Sequence, residues 1–422
     1  MAHLIQSATI IAPGSTYHGK KLDVLVHKGR IEKIGKNVNA GNAKIISSGN
    51  LHVSIGWFDI GTHCGEPGNE HRETLSSLND AAMAGGYTGL AIIPDTSPTT
   101  QSKGDIQFIV RNTETLLVDF LPIAALSREN EGEEITEMID LHNAGAIAFS
   151  DGLKSVQNGG VLARAMEYKK RFQGKIIHHP YNRNFNKDGQ IHEGAVSISL
   201  GLPGISSLAE KSLVERDLNL SEYTESDIIL HCISTKESVS ILQDAKKRSD
   251  KISYTLPYLN LILEDKVLLE FDSNYKIFPP LRDNNDRKAL LKAINNDMAD
   301  AIVSNHKPLE KELKHKEFPY AEFGATGIQT IFSGLNSLPR ETLSLEKIIT
   351  KIAYGPRKIL AIEVPEIKEE APANLTVFDP DIVWSYDVKS NRSKSENNPF
   401  YNTVLKGKVL AVFNNNKVEL IS

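Results

Sequence analysis

Histidines and carboxylates that could hold a metal ion stand at the ends of short apolar runs in this sequence. The candidate ligands are His63, Asp151, His178 and His231. Zinc takes nitrogen, sulfur or carboxylate donors, and in a catalytic site it keeps an open position for water. Gly61 lies two positions before His63, on the same face of a strand, and it supplies no ligand. If these side chains share one rim, they predict a water-activating metal site with an incomplete ligand set.

Two of the candidates have a neighbour that competes for the same place. His178 precedes His179, and His231 precedes Cys232. Successive residues of a strand face opposite ways, so only one of each pair points inward. We favour His178, because it directly follows the apolar run. Whether His231 or Cys232 points inward depends on the register of its strand and stays open.

A purely structural explanation remains open for each candidate. His63 and His178 could equally be hydrogen-bonded residues of a filled interior. Asp151 precedes a glycine, as turn-forming aspartates do. Cys64 and Cys232 are typical of small buried residues. The residue types therefore support either no bound metal or a single zinc.

Composition and charge are those of an ordinary globular protein. The chain has 422 residues, of which 40% are hydrophobic and 24% are charged, and its net charge is -5. This charge gives no excess of basic residues that would attract nucleic acid or anionic lipid, so neither is an expected partner. The length predicts one large domain and a smaller one.

The cysteines and the N-terminus indicate a cytoplasmic protein. The only two cysteines, Cys64 and Cys232, are not in a CxxC pair, so a disulfide framework is not expected. The first residues lack a basic segment followed by an apolar run, and no stretch is long and apolar enough to span a bilayer. We therefore expect no contact with a membrane.

The elements that would position the candidates alternate along the chain. Residues 1–55 and 366–422 consist of short strand-like runs, and residues 56–365 alternate apolar runs with amphipathic stretches. The strand-like runs are 91–94, 146–149, 175–178, 228–231 and 301–304. Helical periods cover 73–84, 238–248 and 286–296. This pattern predicts an α/β protein, a (β/α)8 TIM-type barrel with a small β domain built from both chain ends.

Several motifs together resemble the dihydroorotase family of the amidohydrolase superfamily. They occur at 59–68, 81–88, 93–98, 148–152, 278–282, 305–308 and 393–400. The resemblance covers nearly the whole chain and implies the amidohydrolase barrel. It also implies one or two zinc ions that activate water against a cyclic amide, with an aspartate that moves the proton. Activity is a separate matter from fold.

Positions of this sequence depart from the family's metal pattern. The family's DxHxHxREPG motif has its first metal histidine where Gly61 stands. The family's FSDDG motif has two acidic residues, and this sequence keeps only Asp151. The general-base aspartate of DHAPH is replaced by Asn305, and its last histidine by Leu309. An asparagine side chain cannot take up the proton.

The substrate positions implied by the resemblance are also altered. Gly65 replaces the arginine that would bind a substrate carboxylate, Asp95 replaces the asparagine of MPNT, and Phe278 replaces that of NPPLR. Loss of a cation and gain of a carboxylate would replace attraction for an anionic substrate by repulsion.

Two hypotheses follow. The first is a dihydroorotase-like protein of pyrimidine biosynthesis that is non-catalytic and acts as a scaffold or partner of aspartate transcarbamoylase, as the resemblance implies for related non-catalytic members. The second is an active cyclic amidohydrolase with an altered, single-metal site. A homo-oligomer is expected in either case, and whether a small molecule occupies the barrel mouth stays open.

Overall fold

The computed structural model describes residues 2–421, which form a barrel and a sheet drawn from both ends of the chain. The N-terminal strands are β1 (Ala2–Ile11), β2 (Lys21–His27), β3 (Arg30–Gly35), β4 (Lys44–Ile46) and β5 (His52–Ile55). β2 and β3 pair antiparallel around a glycine turn, and β5 runs parallel to β1. The hairpin predicted from the two apolar runs is confirmed.

Ten strands follow, and eight of them build the barrel. They are β6 (Trp57–Thr62), β7 (Tyr87–Ile92), β8 (Asp119–Ala125), β9 (Ala148–Ser150), β10 (Lys175–His178), β11 (Ile191–His192), β12 (Gly204–Ile205), β13 (Ile228–Leu230), β14 (Ile252–Pro257) and β15 (Ala301–Val303). β11 and β12 pair only with each other, whereas the other eight lie side by side in chain order and run parallel. The predicted barrel is therefore confirmed.

Helices connect these strands. The helices that precede β15 are α1 (Leu75–Gly85), α2 (Lys103–Thr113), α3 (Met138–Asn143), α4 (Gly159–Lys169), α5 (Ala195–Leu200), α6 (Ser207–Thr224), α7 (Lys236–Lys246), α8 (Tyr258–Ile262) and α9 (Asn284–Asn295). Four more follow β15, namely α10 (Lys311–Lys314), α11 (Ile331–Asn336), α12 (Leu345–Ile349) and α13 (Gly355–Leu360). The three helical periods found in the sequence correspond to α1, α7 and α9. Thr74 begins α1 by accepting a hydrogen bond from the Ser77 amide.

The C-terminal strands complete the sheet begun by β1. They are β16 (Leu375–Tyr386), β17 (Thr403–Asn414) and β18 (Lys417–Leu420), and β16 pairs antiparallel with β5. Trp57 at the start of the barrel packs edge-on against Phe378 of β16, with ring centroids 5.5 Å apart. The sheet shared by both chain ends is therefore packed directly against the barrel.

Alternation along the barrel strands decides which side chains face inward. The interior cluster contains Phe58, Ile60, Ala91, Ile93, Ile123, Ala148, Ile177, Ile229, Ala301 and Val303. Because side chains two residues apart on a strand point the same way, His179 points inward like Ile177, and His231 points inward like Ile229. Among residues 2–421, no helix is long and apolar enough to cross a membrane.

Candidate functional site

The end of β6 departs from regular strand geometry at Gly61. This glycine has φ +82°, in the region that favours glycine, and the pairing with β7 shifts between Ile60 and Thr62. A Cβ placed on Gly61 would lie 2.7 Å from Cε1 of His231, which is closer than van der Waals contact. The space in which a side chain at position 61 would stand is therefore filled by the His231 ring.

Asp59, earlier on β6, closes the barrel rather than facing its mouth. Its carboxylate accepts hydrogen bonds from the Ser304 amide at 2.8 Å, the Ser304 hydroxyl at 2.5 Å and the Thr62 hydroxyl at 2.6 Å. Burial raises the pKa of Asp59, although these donors oppose the rise. Together with a hydrogen bond of 3.0 Å from the His63 amide to the His306 carbonyl, Asp59 joins the first barrel strand to the last.

His63 reaches the rim, where it is hydrogen-bonded to Asp95. The two groups join through Nδ1 of His63 and Oδ2 of Asp95, and the histidine side chain is 6% exposed while the aspartate is 34% exposed. A carboxylate on Nδ1 fixes the orientation of an imidazole. Asp95, expected from the sequence to repel an anionic substrate, has an intramolecular partner as well.

At the end of β10, the side chain that faces the interior is that of His179, directly after the strand, and not that of His178. His178 Nδ1 lies 2.6 Å from Asp217 of α6, and its Nε2 accepts the Val156 amide at 3.0 Å. Both ring nitrogens are therefore engaged away from the barrel mouth. His179 Nδ1 lies 3.1 Å from the His231 carbonyl, and its buried Nε2 has no hydrogen-bond partner within residues 2–421.

Directly after β13, His231 faces inward and Cys232 is buried in the interior cluster. His231 Nδ1 lies 3.0 Å from the Thr255 hydroxyl, and Cys232 is 0% exposed. Burial, together with the neighbouring His179 and His63, lowers the pKa of His231 to about 3, and burial lowers that of His179 to about 4. Both imidazoles are neutral at pH 7. Burial raises the pKa of the Cys232 thiol well above its usual value.

Asp151 does not join the histidines at the mouth. Its carboxylate accepts the Ser127 amide at 2.8 Å and also binds the Ser127 hydroxyl. Burial raises its pKa, which these hydrogen bonds counter. Asp151 thus connects the end of β9 to the segment after β8, so its carboxylate oxygens are committed within the protein.

The end of β15 carries no proton acceptor at the family's base position. Asn305 has φ +47°, and its Nδ2 donates to the Phe278 carbonyl at 2.9 Å. His306 Nδ1 accepts the Gly327 amide at 3.1 Å, and its Nε2 lies 3.7 Å from Glu73. Leu309 is buried. These side chains shape the segment after β15 through their contacts with the surrounding chain.

Two altered substrate positions have structural roles here. A Cβ on Gly65 would lie 2.5 Å from the Glu73 carbonyl oxygen, so this backbone leaves no space for an arginine. Phe278 lies over the mouth, with its ring centroid 5.3 Å from that of His179 and 4.6 Å from that of Tyr181. The ring of Phe278 therefore packs on His179.

The four predicted ligands are not positioned to bind one metal ion together. Within residues 2–421, no group of three or more histidine, cysteine, aspartate or glutamate side chains has the arrangement that a metal ion requires. Of the four predicted ligands, His63 and His231 share the barrel rim, whereas Asp151 and His178 are bound elsewhere.

Two buried lysines anchor the segment that follows β15, residues 307–324, here called the mouth loop. Lys314 Nζ donates to the Lys276 carbonyl at 3.2 Å and to the Glu322 carbonyl at 3.0 Å. Lys276 Nζ donates to the Phe318 carbonyl at 2.8 Å. Burial lowers the pKa of Lys314 to about 7, with a further contribution from Lys276. A neutral lysine amine still carries two protons, so Lys314 can donate to the Lys276 and Glu322 carbonyls without being charged.

The Lys314→Met variant tests this anchoring through the pH dependence of stability. The folded pKa of Lys314 is about 7 against a usual value of 10.5, so the unfolded chain binds more protons between these pH values. The free energy of unfolding should therefore rise between pH 7 and 9, by up to about 1.4 kcal/mol per pH unit from this group. Urea unfolding at pH 7, 8 and 9 should show a smaller rise in Lys314→Met. The exposed Lys316→Met is the control, and equal slopes in all three proteins would refute the role of Lys314.

Some residues of the site were assigned wrongly or missed from sequence. His179 was weighed against His178 and not preferred, although alternation from Ile177 would have selected it, because Ile177 and His179 face the same way. Asp217 and Thr255 lie 39 and 24 residues from their histidines, and no local pattern marks such partners. Tyr181 and Phe323, which flank Phe278, were also not identified.

Comparison with known proteins gives consistent matches. Residues 51–238 match a family described as dihydro-orotase-like. The chain is 34% identical over 414 residues to a dihydroorotase of Syntrophus aciditrophicus, covering 97% of both chains, and 33% identical over 409 residues to one of Pelotomaculum thermopropionicum, covering 96% of both. Among solved structures, an L-hydantoinase (dihydropyrimidinase) from Arthrobacter aurescens superposes with a TM-score of 0.85 at 19% identity, covering 100% of this chain and 98% of that one. A D-hydantoinase gives a TM-score of 0.82 at 20% identity, with 100% and 95% covered.

Proposed function

Since this chain belongs to the dihydroorotase family of the amidohydrolase superfamily, we propose that it serves pyrimidine biosynthesis as a non-catalytic member with a degenerate metal site. The observation that carries the proposal is the overlap at position 61. The His231 ring occupies the space beside Gly61 in which the family's first metal histidine would stand.

Other features of the mouth support the same conclusion. Asn305 replaces the family's general base and uses its amide to hold the Phe278 carbonyl at 2.9 Å. Gly65 leaves no room for the substrate arginine. Asp95 is paired with His63 at the rim. A ligand, the base and the substrate cation are thus changed together, which is what loss of the reaction would produce.

A second candidate function is an active cyclic amidohydrolase with an altered, single-metal site, which would convert carbamoyl aspartate and dihydroorotate. One observation favours it, because the Nε2 atom of His179 is buried without a hydrogen-bond partner within residues 2–421. His179 and His63 both act electrostatically on His231, so the second candidate would draw its metal ligands from these three imidazoles. The non-catalytic proposal is preferred, because the second candidate still lacks a base at Asn305.

Metal analysis of the purified full chain separates the two candidates. We expect substoichiometric zinc, unchanged in His63→Ala, because the four predicted ligands do not converge. The exposed His315→Ala is the matched control, because His315 is not one of the predicted ligands. One zinc per chain, lost in His63→Ala and retained in His315→Ala, would overturn the non-catalytic proposal.

The proposed partner is aspartate transcarbamoylase, as the family resemblance implies. The test is co-expression of this chain with the transcarbamoylase of the same organism, followed by sedimentation of the purified proteins alone and mixed. We expect a complex larger than either component, and the chain alone is expected to sediment as a homo-oligomer. Independent sedimentation of the two proteins at micromolar concentration would refute the partnership.

A further inference from the structure

A cavity of about 940 Å³ lies at the face of the barrel opposite the histidines. Its lining includes Phe58 near the start of β6 and Phe120 near the start of β8, whereas His63 follows the end of β6. The barrel strands are parallel, so their amino-terminal ends share one face, and the cavity is at that face. Its volume is within the range that holds a small organic ligand.

The guanidinium of Arg357 is buried at this cavity without a carboxylate partner. Arg357 belongs to α13, lines the cavity and is 3% exposed. Its Nη1 donates to the Gly56 carbonyl at 2.7 Å and to the Ala353 carbonyl at 2.9 Å, and its guanidinium carbon lies 5.2 Å from the ring centroid of Phe58. Within residues 2–421 it forms no ion pair. Burial lowers the pKa of Arg357 to about 10, so the group is charged at pH 7.

Asp119, which also lines the cavity, does not neutralise this cation by contact. Its carboxylate accepts the Asn415 amide at 2.8 Å and the Asn414 amide at 3.0 Å, both from the turn between β17 and β18. Asp119 acts on Arg357 only through its charge, which opposes the fall of the arginine pKa. A buried cation that no carboxylate contacts is stabilised by an anion that enters from outside.

The exposed part of the lining has the opposite charge. Its acidic residues are Glu114, Glu363, Glu366 and Glu370. Glu366 pairs with Lys368, and the other three form no ion pair in the described part of the chain. Arg30, the remaining basic residue of the exposed lining, donates to the Glu370 carbonyl. The lining as a whole therefore has five acidic residues against three basic ones, and the buried Arg357 is one of those three.

Apolar side chains form much of the remaining wall. Phe58 and Phe120 are buried, and Leu121 and Ile362 are half-buried. A hydrocarbon chain that covers these side chains removes apolar surface from water. The exposed glutamates would repel a ligand that has a second anionic group at its outer end, and they would attract a cationic one.

We propose that this cavity binds a short aliphatic chain that carries a carboxylate at one end and an ammonium group at the other. The carboxylate binds the buried guanidinium of Arg357, the chain packs on the apolar wall, and the ammonium group lies among the exposed glutamates. None of the candidate histidines takes part. The proposal is therefore independent of whether this chain converts dihydroorotate.

Isothermal titration calorimetry on the full chain tests the site with four probes of equal chain length. They are 6-aminohexanoate, which has both charges, hexanoate, hexylamine and adipate. Hexylamine lacks the carboxylate, so we expect it to bind at least about tenfold more weakly than 6-aminohexanoate. Hexanoate lacks the ammonium group and adipate replaces it by a carboxylate, so each should bind at least about threefold more weakly.

Variants of the two charged parts locate the binding. Arg357→Met should weaken 6-aminohexanoate about tenfold or more. The double variant Glu114→Gln, Glu363→Gln should weaken it about threefold, to the affinity of hexanoate. Both glutamates are exposed, so this double variant decides the test if Arg357→Met does not fold, which thermal unfolding checks. The exposed Glu312→Gln, outside the lining, is the control and should bind like the parent.

Three results would overturn the proposal. The first is the absence of 6-aminohexanoate binding at millimolar concentration. The second is binding of hexylamine, hexanoate or adipate as tight as that of 6-aminohexanoate. The third is an equal effect of Glu312→Gln and of the double variant on the affinity.

Discussion

Replacing Gly61 by histidine is expected to destabilise the folded protein by about 2–5 kcal/mol without creating a zinc site. Two costs add at this position. A residue with a Cβ is strained at φ +82°, and its Cβ would overlap the His231 ring. Restoring the family's histidine by a single substitution therefore conflicts with the present backbone. Urea unfolding gives the free energy, and metal analysis gives the zinc content.

Matched variants separate the two costs at Gly61. Gly14 has a similar φ, +86°, and no atom within 4 Å of its would-be Cβ, so Gly14→Ala measures backbone strain alone. Gly61→Ala should cost more than Gly14→Ala, and the excess should shrink when His231→Ala is added. A Gly61→His protein that is as stable as the parent and binds one zinc would contradict the interpretation of this site.

Replacing Asp59 by alanine is expected to cost about 3 kcal/mol or more of folding stability. Its carboxylate is the acceptor for the Ser304 amide, the Ser304 hydroxyl and the Thr62 hydroxyl, all buried. Alanine leaves the amide unsatisfied and removes a connection between the first and last barrel strands. Urea unfolding of the full chain measures the loss.

A graded series tests the role of Asp59. Asp59→Asn keeps one oxygen for the Ser304 amide and should cost roughly half as much as alanine. The exposed Asp250→Ala, which has no side-chain hydrogen bond in the described structure, should be neutral. If Asp59→Ala were no more destabilising than Asp250→Ala, barrel closure would not depend on this carboxylate.

The sequence was sufficient to predict the fold because each barrel strand carries a local signal. Runs such as 146–149 and 301–304 are short, apolar and followed by polar residues, and they become β9 and β15. The hairpin of β2 and β3 is predicted in the same way by two apolar runs and a glycine turn. These signals depend only on neighbouring residues.

The site was harder to predict because its partners are distant in the chain. The choice between His178 and His179 depended on where the strand alternation starts, and the structure places His179 inward. The inward position of His231 depends on the strand register at β13. The irregular backbone at Gly61 depends on a local shift in the pairing of β6 with β7. Asp217, which binds His178, belongs to a helix whose packing no local pattern specifies.

Asp95 and Phe278 show what a comparison of motifs omits. Both were identified as departures from the family pattern, and their effect was expected on the substrate. In the structure, Asp95 pairs with His63 and Phe278 covers His179. Each altered residue therefore also makes new contacts within the protein, which is information that only the three-dimensional arrangement provides.

The most direct test of the central proposal is an assay of dihydroorotate conversion in both directions, with purified full chain and equimolar zinc. Because the base position holds Asn305 and the space at Gly61 is filled by His231, we predict no turnover above that of buffer, with or without the metal. Zinc-dependent turnover that disappears in His63→Ala and persists in His315→Ala would contradict it.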